Sequence, residues 1–278
     1  MEKKKIWECI ILGCGRLGSK LKSRLEVNGM NVLGVRRQDF PKDENMLSAD
    51  LCCESSWLTL LDEQFSDNAC FVITLTPSER SESAYRASYI DITLKFVDFA
   101  LKLRKPIRII WVSSTSVFGD QTGFLCESVK PIPKGWRGEI LLEAEKNILR
   151  SGLTYTIIRF AGLYEKSSLK RLERLVSKNT INIDSVANRF HREDAVNWLE
   201  HLVAMNRNNQ RAPRLIHGVD MCSISYRSLF DLLDGKLEQV KPAKAGRIIT
   251  TRLRYLMPKL IFPNCAYGFE LIKPYINT

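Results

Sequence analysis

The sequence has no apolar run approaching the length of a membrane span. Its one leader-like feature also fails. Lys3-Lys4-Lys5, an apolar stretch and Leu12-Gly13-Cys14 imitate a lipoprotein signal, but Glu8 interrupts the stretch and the remainder is too short. A soluble, cytoplasmic protein with no membrane partner is expected. None of the eight cysteines forms Cys-x-x-Cys, and the three histidines do not gather beside them. The usual zinc spacings are missing, so no metal is expected. Cysteines within apolar strand patterns read as small core residues. Nor is there a basic block interleaved with aromatics, although 42 Lys and Arg against 31 Asp and Glu give a net charge of +11. Without a stacking platform, nucleic acid is not an expected partner. The densest basic zone, Lys236 to Lys259, reads as a solvated face or as one that attracts a phosphorylated small molecule. Internal repeats and low-complexity linkers are absent.

What is present begins at Ile10-Ile11-Leu12-Gly13-Cys14-Gly15-Arg16-Leu17-Gly18. An apolar strand pattern runs into Gly-x-Gly-x-x-Gly, and a helical segment to Asn28 follows, as at the start of a dinucleotide-binding βαβ unit. The first glycine makes the tight turn, the second lets backbone approach a pyrophosphate, and the third lets helix pack on strand. The anion then sits at the positive end of the helix. The second strand ends in Arg36-Arg37. An NAD-selective site places Asp or Glu there, about 20 residues past the glycines, for the ribose hydroxyls. Arginine pairs instead with a 2′-phosphate, which predicts NADP(H) in preference to NAD(H). The alternative is a pair of exposed loop charges.

Strand and helix patterns then alternate. Met46 to Leu51 reads as a short strand, Ser55 to Phe65 as a helix, and Ala69 to Leu75 as a strand buried on both faces. Ser81 to Arg104 carries helical apolar spacing, Arg108 to Val112 is a strand, and Ser113-Ser114-Thr115-Ser116 follows it. Lys134 to Gly138 reads as a loop containing Trp136, Glu139 to Ser151 as a helix, and Thr154 to Phe160 as a sixth strand with Arg159 near its end. Beyond it the alternation loosens: a helix at Leu169 to Val176, a strand at Ile181 to Ile183, a helix at Glu193 to Met205, a strand at Leu215 to Val219 and a helix at Ser225 to Leu233. This pattern predicts an α/β Rossmann fold, a doubly wound parallel sheet with a smaller C-terminal substrate lobe. The expected division is 1–163 for the dinucleotide-binding core, with 190–220 returning to it, and 164–278 for the lobe. The glycine turn, Arg36-Arg37, Asp50, Leu75 and Ser113-Ser114 all fall at carboxyl ends of strands, where such sheets bind ligands.

Together these residues resemble an extended short-chain dehydrogenase/reductase of the NAD-dependent epimerase/dehydratase family. The resemblance rests on the glycine turn, Ala49-Asp50-Leu51, Val112 to Gly119, Arg159 to Tyr164 and His191 to Ala195. The Arg-Arg strand end, Leu142 to Glu145 and Asn188 to Asp194 are similar to an atypical, YeeZ-like bacterial branch. The resemblance implies that Gly13, Cys14, Gly15, Arg16, Leu17 and Gly18 hold the pyrophosphate. It further implies that Asp50 meets the adenine amino group, with Leu51, Leu75 and Ser113 also on the cofactor. Ser114 matches the catalytic serine or threonine, and Ser114, Thr115, Trp136, Arg159 and His191 would face or frame the substrate.

The family's Tyr-x-x-x-Lys pair is missing. Counted back from Glu145, its places are Gly138 and Leu142, and no tyrosine occurs between Gly119 and Tyr155. That tyrosine is the family's general acid/base, and its lysine lowers the tyrosine pKa. Glu127, Lys134, Glu139 and His191 are the substitutes to weigh for moving a proton; for each, a surface charge or a structural histidine is the alternative. Two functions stay open: an NADP(H)-dependent oxidoreductase or epimerase-type protein acting on a small anionic, sugar- or nucleotide-linked molecule, and a non-catalytic NADP(H)-binding sensor. A homodimer is compatible with either.

Overall fold

The computed structural model describes residues 5–37, 43–178, 182–234, 236, 237, 239 and 243–269. Seven strands form one sheet in the order β11-β7-β5-β4-β1-β2-β3, every neighbouring pair parallel. They are β1 (Ile6–Leu12), β2 (Val32–Arg36), β3 (Met46–Ser48), β4 (Gln64–Ile73), β5 (Arg108–Ser114), β7 (Thr154–Phe160) and β11 (Leu215–Gly218). The sheet's inner strands are continuous apolar runs because helices cover both faces. Ile10, Ile11, Leu12, Phe71, Val72, Ile109, Ile110 and Trp111 are all buried. The order reverses beside β1, the switch point where a doubly wound sheet opens a crevice.

Register brings the carboxyl ends level. Leu12 pairs with Val35 on one side and Ile73 on the other, and Ile73 pairs with Trp111. The residues that follow, from the glycine turn to Ser114, are thereby set along one rim. Helix α1 (Arg16–Val27) packs on one face with α7 (Arg192–Arg207), joined by Arg24 to Glu193 at 2.7 Å and by Asn28 to Glu200 at 2.7 Å. It stops at Asn28-Gly29, where Gly29 takes φ +76°. On the other face α2 (Glu54–Leu61), α4 (Ile92–Lys102) and α5 (Trp136–Arg150) cover a core that includes Trp57, Phe65, Phe71, Phe96 and Phe99, with Phe65 and Phe71 centroids 5.4 Å apart.

After β7 the chain leaves the sheet. Strand β8 (Gly162–Tyr164) pairs with β10 (Arg189–His191), and β9 (Val186–Ala187) pairs antiparallel with β12 (Ile224–Ser225). A second apolar cluster joins Tyr164 of β8 and Ile224 of β12 with Leu172 of α6 (Leu169–Ser177), Leu229 and Leu232 of α8 (Tyr226–Leu233), Cys265 and Ala266 of α9 (Cys265–Gly268), and Phe269 just after it. Gly268 is needed there, since a Cβ on it would lie 2.1 Å from the Tyr164 hydroxyl. Strand β13 (Arg247–Ile249) runs back to pair with β6 (Gly123–Leu125) near the rim.

Several boundaries differ from the sequence expectation. Strand β4 begins at Gln64, because Phe65 is buried against Phe71 and Phe99 instead of closing the preceding helix. Strand β3 ends at Ser48, and Asp50 forms a turn whose carboxylate accepts the Cys52 N–H at 3.0 Å. The long helix after β4 is divided into α3 (Glu82–Tyr85), a π-helical turn (Arg86–Asp91) and α4. The loop expected from Lys134 to Gly138 gives way to helix at Trp136, with Gly135 at φ +78° turning the chain into α5. Of the strand expected at Ile181 to Ile183, Ile181 lies outside the described residues; the short strand observed is β9.

Candidate dinucleotide cleft

The glycine turn is built as a cradle. Gly13 sits at φ +86°, and a Cβ on it would come within 3.0 Å of the Thr74 carbonyl. Only glycine holds that backbone beside β4 without strain. Thr74 Oγ1 donates to the Gly13 carbonyl at 2.8 Å and fixes the turn to the neighbouring strand end. Gly18 packs α1 onto β1, since a Cβ there would meet Ile11 Cγ2 at 2.8 Å. Gly15 is different: its added Cβ would meet nothing closer than the Gly13 carbonyl at 3.8 Å. Gly15 therefore faces open space on the cleft side, where backbone can approach a ligand.

Electrostatics at the turn also suit an anion. Helix α1 starts at Gly15 with no side-chain cap and no acid in its first turn. Its first N–H groups and positive dipole end are left for a partner from outside the helix. The N–H groups of Gly13 and Cys14 are already used, both donating to the Val35 carbonyl at 3.0 and 2.8 Å. Cys14 is buried, its thiol pushed up to about 11 by burial, so its side chain belongs to the core.

From this turn a cleft of about 560 Å³ runs across β1, β2 and β4. Its lining includes Gly13, Gly15, Arg36, Arg37, Asp50, Leu51 and Leu75. These sequence-selected residues, from four separate chain segments, therefore share one cavity. Arg36 and Arg37 stand at the β2 end and Asp50 beyond β3. The cleft also uses Thr76, read with Leu75 as a strand end, and Thr74, Pro77, Ser78, Ser88 and Ile92, which the sequence reading did not select for it. Thr74 and Thr76 were legible as strand-end neighbours of Leu75. Ser88 lies within the π-helical turn and Ile92 directly follows it, and neither carried such a signal.

The residues selected around the reacting centre lie elsewhere. Ser113 is buried and donates to Glu145 Oε1 at 2.6 Å. Arg159 is buried too; its Nε and Nη2 donate to Glu145 Oε1 and Oε2 at 2.9 and 2.6 Å, and its guanidinium lies 5.4 Å from the Phe118 ring centre. Arg159 is thus held behind β5 by a carboxylate from α5. Glu145 was used in the sequence only to align the helix, and its role as the centre of this network was missed. Ser114 Oγ accepts the Ser116 N–H at 3.2 Å and is half-buried; Thr115 is buried beside it. Trp136 packs edge-on against Tyr85, ring centres 5.0 Å apart. His191 caps α7, its Nδ1 accepting the Glu193 N–H at 3.2 Å, while its ring lies 3.7 Å from that of Phe262. Burial pushes the His191 pKa down to about 4, which keeps Nδ1 free to accept.

Gly138 faces inward. A Cβ there would come within 2.9 Å of both the Ser116 carbonyl and Pro133 Cβ. The helix has closed onto the turn below it, so the position holds no room for a tyrosine. The substitutes fare little better. Glu127 accepts the His217 and Arg252 N–H groups at 3.0 and 3.1 Å, and Thr251 Oγ1. Burial raises its pKa, but these hydrogen bonds outweigh that and hold it below the usual carboxylate value. Lys134 pairs with Asp120, and Glu139 is exposed in the first turn of α5.

A parallel seven-stranded sheet with a glycine cradle at its switch point defines a Rossmann-type dinucleotide fold. The chain belongs to the RmlD substrate binding domain family, whose pattern matches residues 9–192. Among curated proteins it is similar to Protein YeeZ of Escherichia coli (strain K12), 35% identical over 164 residues, 55% of this chain and 57% of YeeZ. The chain thus spans little more than half the length of that relative. Among solved structures it is similar to a Methylobacillus flagellatus protein described as an NAD-dependent epimerase/dehydratase, with TM-score 0.75, 23% identity, and 96% and 97% of the two chains covered. It is also similar to MoeE5, solved in complex with UDP-glucose and NAD, with TM-score 0.71, 20% identity, and 95% and 98% covered. These structures establish the fold. No helix among the described residues is long and apolar enough to cross a membrane.

Proposed function

We propose that this chain binds NADP(H) in the cleft and works as a short-chain dehydrogenase/reductase-like oxidoreductase or epimerase-type protein on a small anionic, sugar- or nucleotide-linked molecule. The observation that carries the reading is the pairing of Arg36 and Arg37 on one wall with the uncapped start of α1 on another. Two cations at the ribose end favour a 2′-phosphate, and the helix start favours a pyrophosphate. Gly13, Gly15 and Gly18 would shape the backbone around the diphosphate, Asp50 and Leu51 would border the adenine, and Leu75 would lie along the dinucleotide. When bound, NADP(H) supplies hydride transfer. The chain's own share is to hold it and to present Ser114 Oγ, a hydrogen-bond donor suited to polarising a carbonyl. The UDP-glucose and NAD held by MoeE5 support the choice of a nucleotide-linked sugar.

The test is calorimetric titration with NADPH and NADH, followed by incubation with sugar nucleotides and carbonyl compounds. Tight NADPH binding with at least one turned-over compound supports the reading. Preference for NADH, or absence of turnover throughout the panel, overturns the corresponding half. A second reading, a non-catalytic NADP(H) sensor, is favoured by the closed packing at Gly138. It requires that NADPH alter association with another protein while no compound turns over.

A further inference from the structure

Cys9 on β1 and Cys70 on β4 are register partners on neighbouring parallel strands, and both are buried free thiols. Neighbouring strands lie about 4.8 Å apart, inside the roughly 4.4–6.8 Å that a disulfide spans between Cα atoms. Helix α7 covers this pair, and its Asn206 donates to Cys70 Sγ at 3.4 Å. Just before the pair the ladder breaks. Trp7 faces Phe65 but Cys9 faces Cys70, so β4 sets Ser66 to Ala69 against Glu8 alone. Asn68 turns there at φ +61°. Beside this bulge lies a cavity of about 240 Å³, lined in part by Ser66, Asp67, Asn68 and Cys70 of β4 and by Val203 and Arg207 of α7. Cys70 meets this cavity; Cys9 does not line it. We infer that the two thiols form a reversible oxidation site: a small hydroperoxide entering the cavity oxidises Cys70, and Cys9 resolves it into a disulfide joining β1 to β4.

The surroundings give the two thiols different roles. Hydrogen bonding from Cys9 lowers the Cys70 thiol, burial opposes it, and Asn206 and the Arg108 charge lower it further, so Cys70 is held below the ordinary cysteine value. The same bond, then burial, pushes Cys9 well above that value. Cys70 therefore supplies the thiolate that reacts first, and Cys9 keeps its proton until the second step. With hydrogen peroxide, Cys70 sulfur attacks one oxygen and the O–O bond breaks. The departing hydroxide takes a proton and leaves as water, and Cys70 becomes a sulfenic acid. Cys9 sulfur then attacks Cys70 sulfur. The S–S bond forms, the S–O bond breaks, and the hydroxide leaves with the Cys9 proton as a second water. Two thiols give up two electrons and two protons, and one peroxide is reduced to two waters. An external dithiol reverses the bond by exchange.

This inference does not depend on what the dinucleotide cleft binds. The test treats the folded, fully reduced chain with hydrogen peroxide under native conditions, then blocks the remaining thiols and maps the peptides by mass. The expected result is a linked pair of peptides carrying Cys9 and Cys70, lighter by two hydrogens, that dithiothreitol separates. The urea midpoint of the oxidised protein should rise, because the cross-link restricts the unfolded chain. Cys9→Ala protein should stop at a Cys70 sulfenic acid that dimedone labels, and Cys70→Ala protein should leave Cys9 reduced. The exposed Cys52 and Cys53 serve as internal controls. Oxidation of these two while Cys9 and Cys70 stay reduced overturns the inference, as does a Cys9–Cys70 link that forms only in urea. Dimedone labelling of Cys9 in Cys70→Ala protein, with none of Cys70 in Cys9→Ala protein, overturns the assigned roles.

Discussion

Glu145 on α5 and Arg159 on β7 form a two-point ion pair, at 2.9 and 2.6 Å, with both side chains about 5% exposed or less. Ser113 adds a third hydrogen bond to the same carboxylate. The pair ties the helix that would carry the family's catalytic residues to the strand that follows it. Removing one partner leaves a buried, uncompensated charge, which costs about 3–5 kcal/mol. Glu145→Leu and Arg159→Met are each expected to lose that much in urea unfolding. The double variant should be more stable than either single one, because no lone charge is left. A double variant as unstable as the sum of the two would refute this account.

At Gly138 the expected effect is steric. Gly138→Ala places a methyl within 2.9 Å of the Ser116 carbonyl and Pro133. Overpacking of this kind costs about 1–3 kcal/mol, to be read from chemical denaturation. Gly138→Tyr should be less stable still and should not create dehydrogenase activity with any compound in the sugar-nucleotide panel. A stable Gly138→Tyr protein with new turnover would show that the helix can withdraw from the turn.

The sheet was legible because its strands are apolar runs of the right length separated by helical patterns, and the glycine turn fixed where its ligand edge lies. The cleft was legible for the same reason: Arg36, Asp50 and Leu75 are strand-end residues, and a parallel sheet sets such ends along one rim. What stayed hidden depended on tertiary contact. Nothing local marks Arg159 as the partner of Glu145 instead of a substrate, since a buried and a ligand-facing arginine look alike in sequence. The π-helical turn that brings Ser88 and Ile92 to the cleft leaves the apolar spacing nearly unchanged. Phe65 reads as the end of a helix in sequence, because the aromatic it meets edge-on, Phe99, is distant along the chain.

Cofactor choice can be tested at Arg37, which is exposed and lines the cleft. A charge-assisted hydrogen bond to a phosphate is worth about 1.5–3 kcal/mol. Arg37→Ala should therefore weaken NADPH binding by about 10- to 100-fold while leaving NADH binding nearly unchanged. Calorimetric titration of both nucleotides checks it. Equal losses for the two would mean that Arg37 acts on a part of the dinucleotide common to both.

His191 supplies a prediction in pH. Burial lowers its folded-state pKa to about 4, against about 6.5 for an unperturbed histidine. Between these values the unfolded chain binds a proton that the folded chain does not. Stability from this residue is thus complete above about pH 6.5 and falls as pH drops toward about 4, by up to about 1.4 kcal/mol per pH unit. Protonation would also remove the lone pair with which Nδ1 accepts the Glu193 N–H. Asparagine is a strong helix N-cap that does not titrate in this range. His191→Asn should lose the aromatic contact with Phe262 and so start from lower stability at pH 7.5. Its unfolding free energy should then decline less steeply than that of the unsubstituted protein between pH 6.5 and 4.5. Buried Asp220 opposes the trend in both proteins, because burial raises its pKa well above the usual value and its protonated form favours the folded state. The difference between the two pH profiles cancels that contribution and isolates His191. Parallel profiles would mean that the imidazole titrates in the folded protein as it does in the unfolded chain, and that the α7 cap tolerates its charge.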